Sequence, residues 1–240
     1  MGFVVPAVLP TSHEDLEKKL ALFAQLPSVS RVQIDVVDGK FASPASWPYS
    51  APAELHDMIE RGEMLPDTQC LEYEIDLMCF DAEAAAGDWL ALGATRLTFH
   101  AESITDLPRL LASLRKRYGG GTDLTLSSLV SFGLALNVGS DVALIEPCLG
   151  EIEYVQFMGI ATIGKQGQPF DRRVLENVRI FHERHPEVPM QVDGGVSETT
   201  AKELLALGVS NLIAGSSILR AKDPAAAVRA FEALRSPYGV

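Results

Sequence analysis

Two aspartates in this chain stand where a proton could be moved. Asp35 lies near the end of the apolar run Arg31–Val36, and Asp193 closes the run Val188–Asp193. Strand alternation puts Gln33 and Asp35 on one face. If both runs are strands ending at a common mouth, the two carboxylates flank whatever binds there. One would remove a proton next to a carbonyl and the other deliver a proton to the opposite face, which inverts a carbon centre. Carboxyl groups ordinarily titrate near ~3.9, so this chemistry needs burial, mutual repulsion or both to raise them. Plainer roles are open too: Asp35 as a capping carboxylate in a tight turn, and Asp193 as a turn residue ahead of two glycines. Asp38, directly before Gly39, reads as a turn residue.

A second set of residues could hold an anion. The segment from Gln191 to Val196 reads Gln-Val-Asp-Gly-Gly-Val, and that from Leu212 to Ser217 reads Leu-Ile-Ala-Gly-Ser-Ser. In each, an apolar run turns on glycine straight into a helical pattern, so backbone N–H groups can approach an anion closely. Gly194, Gly195, Gly215 and Ser216 are therefore candidate phosphate-binding residues. A third loop, Gly164–Gln168, carries Gly167 and could close over the same anion. The alternative is that these glycines only make tight turns.

These residues need elements to position them. Short apolar runs alternate with longer stretches of helical period, the mark of βαβ units and a parallel sheet. The runs are Phe3–Leu9, Arg31–Val36, Leu71–Met78, Thr95–His100, Val130–Asn137, Ile152–Met158, Val188–Asp193 and Asn211–Gly215. Helices are expected at about 13–26, 52–61, 82–92, 104–118, 141–147, 171–184, 198–207 and 224–234, with caps at Ser12, Asp81, Ser103, Ser197 and Asp223. Eight such pairs match a single closed (β/α)8 TIM barrel over residues 1–240, a fold that typically takes about 250 residues. A doubly wound open sheet would usually bring a GxGxxG turn after the first strand, and none is present. The run Gly119-Gly120-Gly121 reads as a helix-to-strand turn.

In such a barrel the chemistry gathers where strands end. The polar residues at those ends are Gln33, Asp35, Asp38, Asp76, His100, Glu102, Asn137, Gln168, Asp193 and Ser216. His100 fits either a pocket or a satisfied core position, whereas His13, His56, His182 and His185 fall on predicted helices and read as solvent-facing. Trp47 and Tyr49 sit in a long Pro- and Ser-rich loop that could form a lid.

Composition narrows the partners. With 47% hydrophobic and 22% charged residues the chain is that of a soluble globular protein. Twenty basic against thirty-two acidic side chains give a net charge of −12, which argues against nucleic acid and anionic membrane but leaves a small anion possible. Cys70, Cys79 and Cys148 form no CxxC or other metal-ligand spacing, which suits a reducing, cytoplasmic setting. The N-terminus lacks the basic region of a secretory signal, and no apolar stretch reaches the roughly 20 residues of a membrane helix. A homo-oligomer is the usual state of soluble enzymes.

The segments from Val32 to Phe41, Ile75 to Met78, Phe99 to Glu102, Leu136-Asn137, Gln191 to Val196 and Ala214 to Ser216 resemble the ribulose-phosphate 3-epimerase family, in family order and over nearly the whole chain. That resemblance implies a ribulose-phosphate-binding barrel that interconverts ribulose 5-phosphate and xylulose 5-phosphate through a 2,3-enediolate, a step of pentose phosphate metabolism. It casts Asp35 and Asp193 as the acid–base pair and as ligands of a divalent metal. Met78 and Met158 match methionines that line the family's site, and His100, Asn137 and Gln168, polar residues at or beyond strand ends, complete the expected substrate pocket.

The chain departs from the family where the metal would sit. Gln33 and Asp76 stand in place of two histidine ligands, Ala7 in place of a serine, and Val37 in place of a methionine; the loop Gly159–Gln168 is altered. A set of Gln33, Asp35, Asp76 and Asp193 is all oxygen and suits Mg²⁺ or Mn²⁺ rather than Zn²⁺. Equally, the site could hold no metal and keep one carboxyl protonated as a donor to the enediolate oxygen. Two other functions fit a phosphate-binding barrel: a lyase or isomerase of another type, and a non-catalytic sensor of a sugar phosphate. A Schiff-base aldolase would need a lysine at a strand end, and none of the seven lysines lies on a predicted strand.

Overall fold

The computed structural model describes residues 3–118 and 130–234. Eight parallel strands close in sequence order: β1 (Val4–Val8), β2 (Arg31–Val37), β3 (Glu72–Met78), β4 (Arg96–His100), β5 (Ser131–Leu136), β6 (Tyr154–Met158), β7 (Met190–Asp193) and β8 (Asn211–Ala214), with β8 pairing back onto β1. Around them lie α1 (His13–Ala24), α2 (Pro52–Glu60), α3 (Ala82–Ala91), α4 (Leu107–Tyr118), α5 (Arg173–Arg184), α6 (Glu198–Ala206), α7 (Ser216–Leu219) and α8 (Pro224–Glu232). The strands are buried along almost their whole length because helices cover one face and the barrel interior closes the other. None of the described helices is long and apolar enough to cross a membrane.

Ser12, Ser197 and Asp223 cap α1, α6 and α8, Ser197 within a full capping box with Thr200. Asp81 and Ser103 do not act as caps. Asp81 instead accepts from the Tyr49 hydroxyl, and Ser103 donates to the His100 carbonyl, so that α4 begins later and takes its cap from Asp106. No α-helix forms at 141–147. Two short 3-10 segments, Val142–Leu144 and Glu146–Glu151, occupy that crossover, where Pro147 and Gly150 cut the helical pattern short. The short α7 follows β8 at once, ahead of α8. The glycine run 119–121 lies outside the described residues.

Trp47 is not part of a lid. It is fully buried, stacks on His13, meets Trp89 edge-on and donates Nε1–H to Glu54 over 2.9 Å. Of the helical histidines only His56 is well exposed; His13 is held by that stack, while His182 and His185 are half-buried.

Register sets the interior. Gln33 pairs with Glu74 and Asp35 with Asp76 across β2 and β3, while Gln156 pairs with Gln191 and Met158 with Asp193 across β6 and β7. Alternation along each strand makes two polar tiers on the axis. Glu74 lies toward the amino ends of the strands, Asp35, Asp76 and Asp193 toward the carboxyl ends.

Candidate active site

Asp35, Asp76 and Asp193 converge at the carboxyl ends of β2, β3 and β7. Each is buried, and one carboxylate oxygen from each lies within 4.8 Å of the others. Gln33 Nε2 donates to Asp35 Oδ1 over 2.9 Å and to Asp193 Oδ2 over 3.0 Å. A single primary amide thus uses both hydrogens to bridge two carboxylates.

Crowding of like charge in a dry site raises these groups. Burial, and then the charges of Asp193 and Asp76, push the Asp35 carboxyl well above its ordinary value. Burial, followed by the charge of Asp76, pushes Asp193 up to about 7. The Gln33 N–H bonds oppose both rises.

Asp76 faces His100, whose Nε2 lies 3.1 Å from Asp76 Oδ1. Burial works against a charge on His100, but the Asp76 carboxylate beside it more than offsets this, so the imidazole titrates above its ordinary value. Phe41 lies against the His100 ring at 5.3 Å between centroids. His100 therefore sits fully buried behind Asp76.

The three carboxylates could hold a hard divalent cation. Their oxygens are close enough to share one ion, and Lys165, on the loop after β6, is the one Lys or Arg among the described residues lining the cleft over Asp35 and Asp193. Gln33 does not join them as an oxygen ligand in this arrangement, because its amide nitrogen faces them and its Oε1 is buried elsewhere without a partner among the described residues.

A cleft opens over Asp35 and Asp193. Met78 and Met158 line it, and so do Gly167, Gln168, Gly194, Gly195, Gly215 and Ser216. The glycine turns are sterically required. At Gly195, φ is +67° and a Cβ would lie 2.6 Å from the Phe170 backbone. At Gly167, φ is +79° and a Cβ would lie 2.7 Å from the Arg220 guanidinium. The loop after β6 reaches across the mouth. Gly164 meets Ala42 and Ser43 of the loop after β2, and Gln166 Nε2 donates to the Ala7 carbonyl over 3.2 Å.

Asn137 does not join this cleft. It lines a separate depression with Phe41, Ala161 and Arg173, and its backbone N–H donates to Glu102 over 2.8 Å. Asp38 accepts from the Lys40 and Phe41 N–H groups, as a turn residue does. Sequence reasoning did not single out Glu74, Gln156 or Gln166. For Gln156 the available signal was a polar residue inside the apolar run Tyr154–Met158, two positions before a strand-end methionine.

Comparison with known proteins bears on the family and the fold. Residues 3–219 match the Ribulose-phosphate 3 epimerase family. The Arabidopsis thaliana protein named ribulose-5-phosphate-3-epimerase, chloroplastic, is 24% identical over 243 residues, covering 99% of this chain and 78% of its own length. The Aquifex aeolicus ribulose-phosphate 3-epimerase is 27% identical over 204 residues, covering 83% of this chain and 82% of its own. Among solved structures, KGPDC from Streptococcus mutans superposes with a TM-score of 0.64 at 16% identity, covering 98% of this chain and 97% of that one. That likeness concerns the barrel alone. With the match spanning both aspartates and both glycine turns, the chain belongs to the ribulose-phosphate 3 epimerase family, whose named members are carbohydrate isomerases.

Proposed function

We propose that this protein epimerises a ketose phosphate at the carbon next to its carbonyl, with ribulose 5-phosphate and xylulose 5-phosphate as the substrate pair, in pentose phosphate metabolism. The observation that carries this reading is the placement of two raised carboxyls, Asp35 and Asp193, at the base of one cleft whose rim is formed by glycine turns.

The ionised member of the pair takes the proton from C3. The C3–H electrons move into the C2–C3 bond and the carbonyl pair moves onto O2, giving the 2,3-enediolate. The protonated member then delivers its proton to the other face of C3, and the carbonyl re-forms. One turnover leaves the two aspartates with exchanged protonation states, so the same pair serves the reverse reaction. Carboxyls raised above their ordinary value accept and return a proton more readily at working pH than ordinary aspartates do. Gln33 holds both in place. The N–H groups of the Gly194-Gly195 and Gly215-Ser216 turns bind the phosphate, and the loop with Gly167 and Gln168 excludes water above it.

Asp35, Asp76 and Asp193 would hold a divalent cation, and their all-oxygen set favours Mg²⁺ or Mn²⁺ over Zn²⁺. When bound, such a cation supplies stabilisation of the negative charge that develops on the substrate oxygens. A cytoplasmic setting goes with this reading, since all three cysteines are unpaired.

Among the described residues no lysine lies on a strand, which disfavours a Schiff-base lyase. Incubation of the protein with ribulose 5-phosphate, followed by proton NMR, tests the proposal. Appearance of xylulose 5-phosphate to equilibrium is expected, with Mg²⁺ or Mn²⁺ added. Binding of the sugar phosphate without conversion would instead favour a sensor.

A further inference from the structure

Below the carboxylate trio, the barrel interior carries a chain of hydrogen bonds that the reaction as described does not use. At its lower end Glu74 is fully buried between two guanidinium groups: Arg31 Nη1 lies 3.2 Å and Arg96 Nε 3.0 Å from Glu74 Oε2. Its other oxygen, Oε1, accepts from Thr98 and from Gln191 Nε2. Gln191 Nε2 also donates to Gln156 Oε1 over 2.7 Å. Gln156 Nε2 in turn donates to Asp76 Oδ2 over 2.9 Å and lies 3.5 Å from the Met158 sulfur.

The direction of this chain follows from its lower end. A carboxylate is acceptor-only, so the amide beside Glu74 must present nitrogen to it. With Gln191 reversed, its oxygen would face both Glu74 Oε1 and Gln156 Oε1, placing three acceptors together with no hydrogen between them. Gln191 keeps the donor orientation although its own Oε1 is left buried without a partner among the described residues. Its N–H then holds Gln156 by the oxygen, which turns the Gln156 nitrogen toward Asp76.

We infer that Gln191 and Gln156 are positioning residues that carry the polarity fixed by Glu74 up the barrel axis, delivering an N–H to Asp76 and so holding its carboxylate beside Asp35 and Asp193. The role in catalysis rests on the epimerase reading; the chain itself does not. Buried amides in such chains reinforce one another, and loss of one link is felt at the end. Supporting partners of this kind typically contribute about 10- to 100-fold to activity or metal affinity.

The test uses Gln191→Met, Gln156→Met and the double variant, each checked for folding by thermal unfolding. In turnover of ribulose 5-phosphate, Gln191→Met is expected to lower kcat by roughly 10- to 100-fold with KM changed less than about twofold. Because Gln191 acts only through Gln156, the double variant should be no worse than Gln156→Met alone. Losses that multiply, or a folded Gln191→Met with wild-type kcat, overturn the inference.

A second readout needs no activity. The ¹³C shift of the Asp76 carboxylate should move in Gln191→Met, although Gln191 bonds to Glu74 and Gln156 and not to Asp76; an unmoved signal overturns the inference as well. A moved signal in a protein without epimerase activity would keep the chain and refute the reaction. Should Gln191→Met not fold, Gln191→Asn keeps the amide but is too short to span Glu74 and Gln156, and the same outcomes apply.

Discussion

Asp35 and Asp193 reach the cleft from strands on different sides of the barrel, yet both accept from the one Nε2 of Gln33, at 2.9 and 3.0 Å. This shared donor sets their separation and points one oxygen of each toward the same amide. It also explains how two carboxyls can lie together in a dry site: each receives one N–H, and protonation relieves the rest of their repulsion.

That relief has a consequence for stability. Since both carboxyls titrate above their ordinary value in the folded protein, the folded state keeps protons that the unfolded chain has already released; for Asp193 that window runs from about pH 4 to about 7. Stability of the metal-free protein is therefore greatest below that window and falls as the pH rises through it. For Asp193, raised to about 7, the loss is on the order of 4 kcal/mol at most. Asp193→Asn removes the titration. Its melting temperature should exceed that of wild type by on the order of 5 °C at pH 8 and converge with it near pH 4, as measured by calorimetry in the presence of chelator.

Divalent cations should reverse the wild-type deficit. At pH 8, Mg²⁺ or Mn²⁺ is expected to raise the melting temperature of wild type in a concentration-dependent manner and that of Asp76→Asn much less, because one of three carboxylate ligands is lost. The double variant Gln33→His, Asp76→His brings nitrogen donors to the same place. Elemental analysis of that protein after dialysis against mixed metals should show a shift from Mn²⁺ toward Zn²⁺.

The glycine turn after β7 gives a separate handle on the anion. Gly195→Ala would force a side chain into a backbone conformation with φ +67° and to within 2.6 Å of the Phe170 backbone. A destabilisation of about 1 to 3 kcal/mol is expected, together with at least a tenfold weaker affinity for inorganic phosphate by isothermal titration. Unchanged phosphate affinity would remove this turn from the binding site.

Much of this arrangement was legible from local sequence. Strand alternation alone placed Gln33 beside Asp35, and the double-glycine turn after Asp193 marked the end of β7. These features depend on neighbours within a few residues. The axial chain was not legible, because Glu74, Gln156 and Gln191 come from three strands and meet only through the closure and stagger of the barrel. Asn137 sits at a strand end like the site residues, but lies over a separate depression behind Phe41. Trp47 reads as a loop aromatic, and only its contacts with His13 and Trp89 show it to be core. The segment 141–147 has a helical pattern interrupted by Pro147, and tertiary packing settles it as two short 3-10 segments.

In the proposed reaction Asp35 and Asp193 move a proton on opposite faces of one carbon. Turnover of ribulose 5-phosphate in deuterium oxide tests it most directly, with the product followed by proton NMR and mass spectrometry. The wild-type protein should place one solvent deuterium at C3 of every xylulose 5-phosphate formed, while Asp35→Asn and Asp193→Asn, folded and still able to bind the sugar phosphate, should lose epimerisation by several orders of magnitude. Product carrying the original C3 hydrogen, or undiminished epimerisation in either variant, would contradict the two-aspartate mechanism.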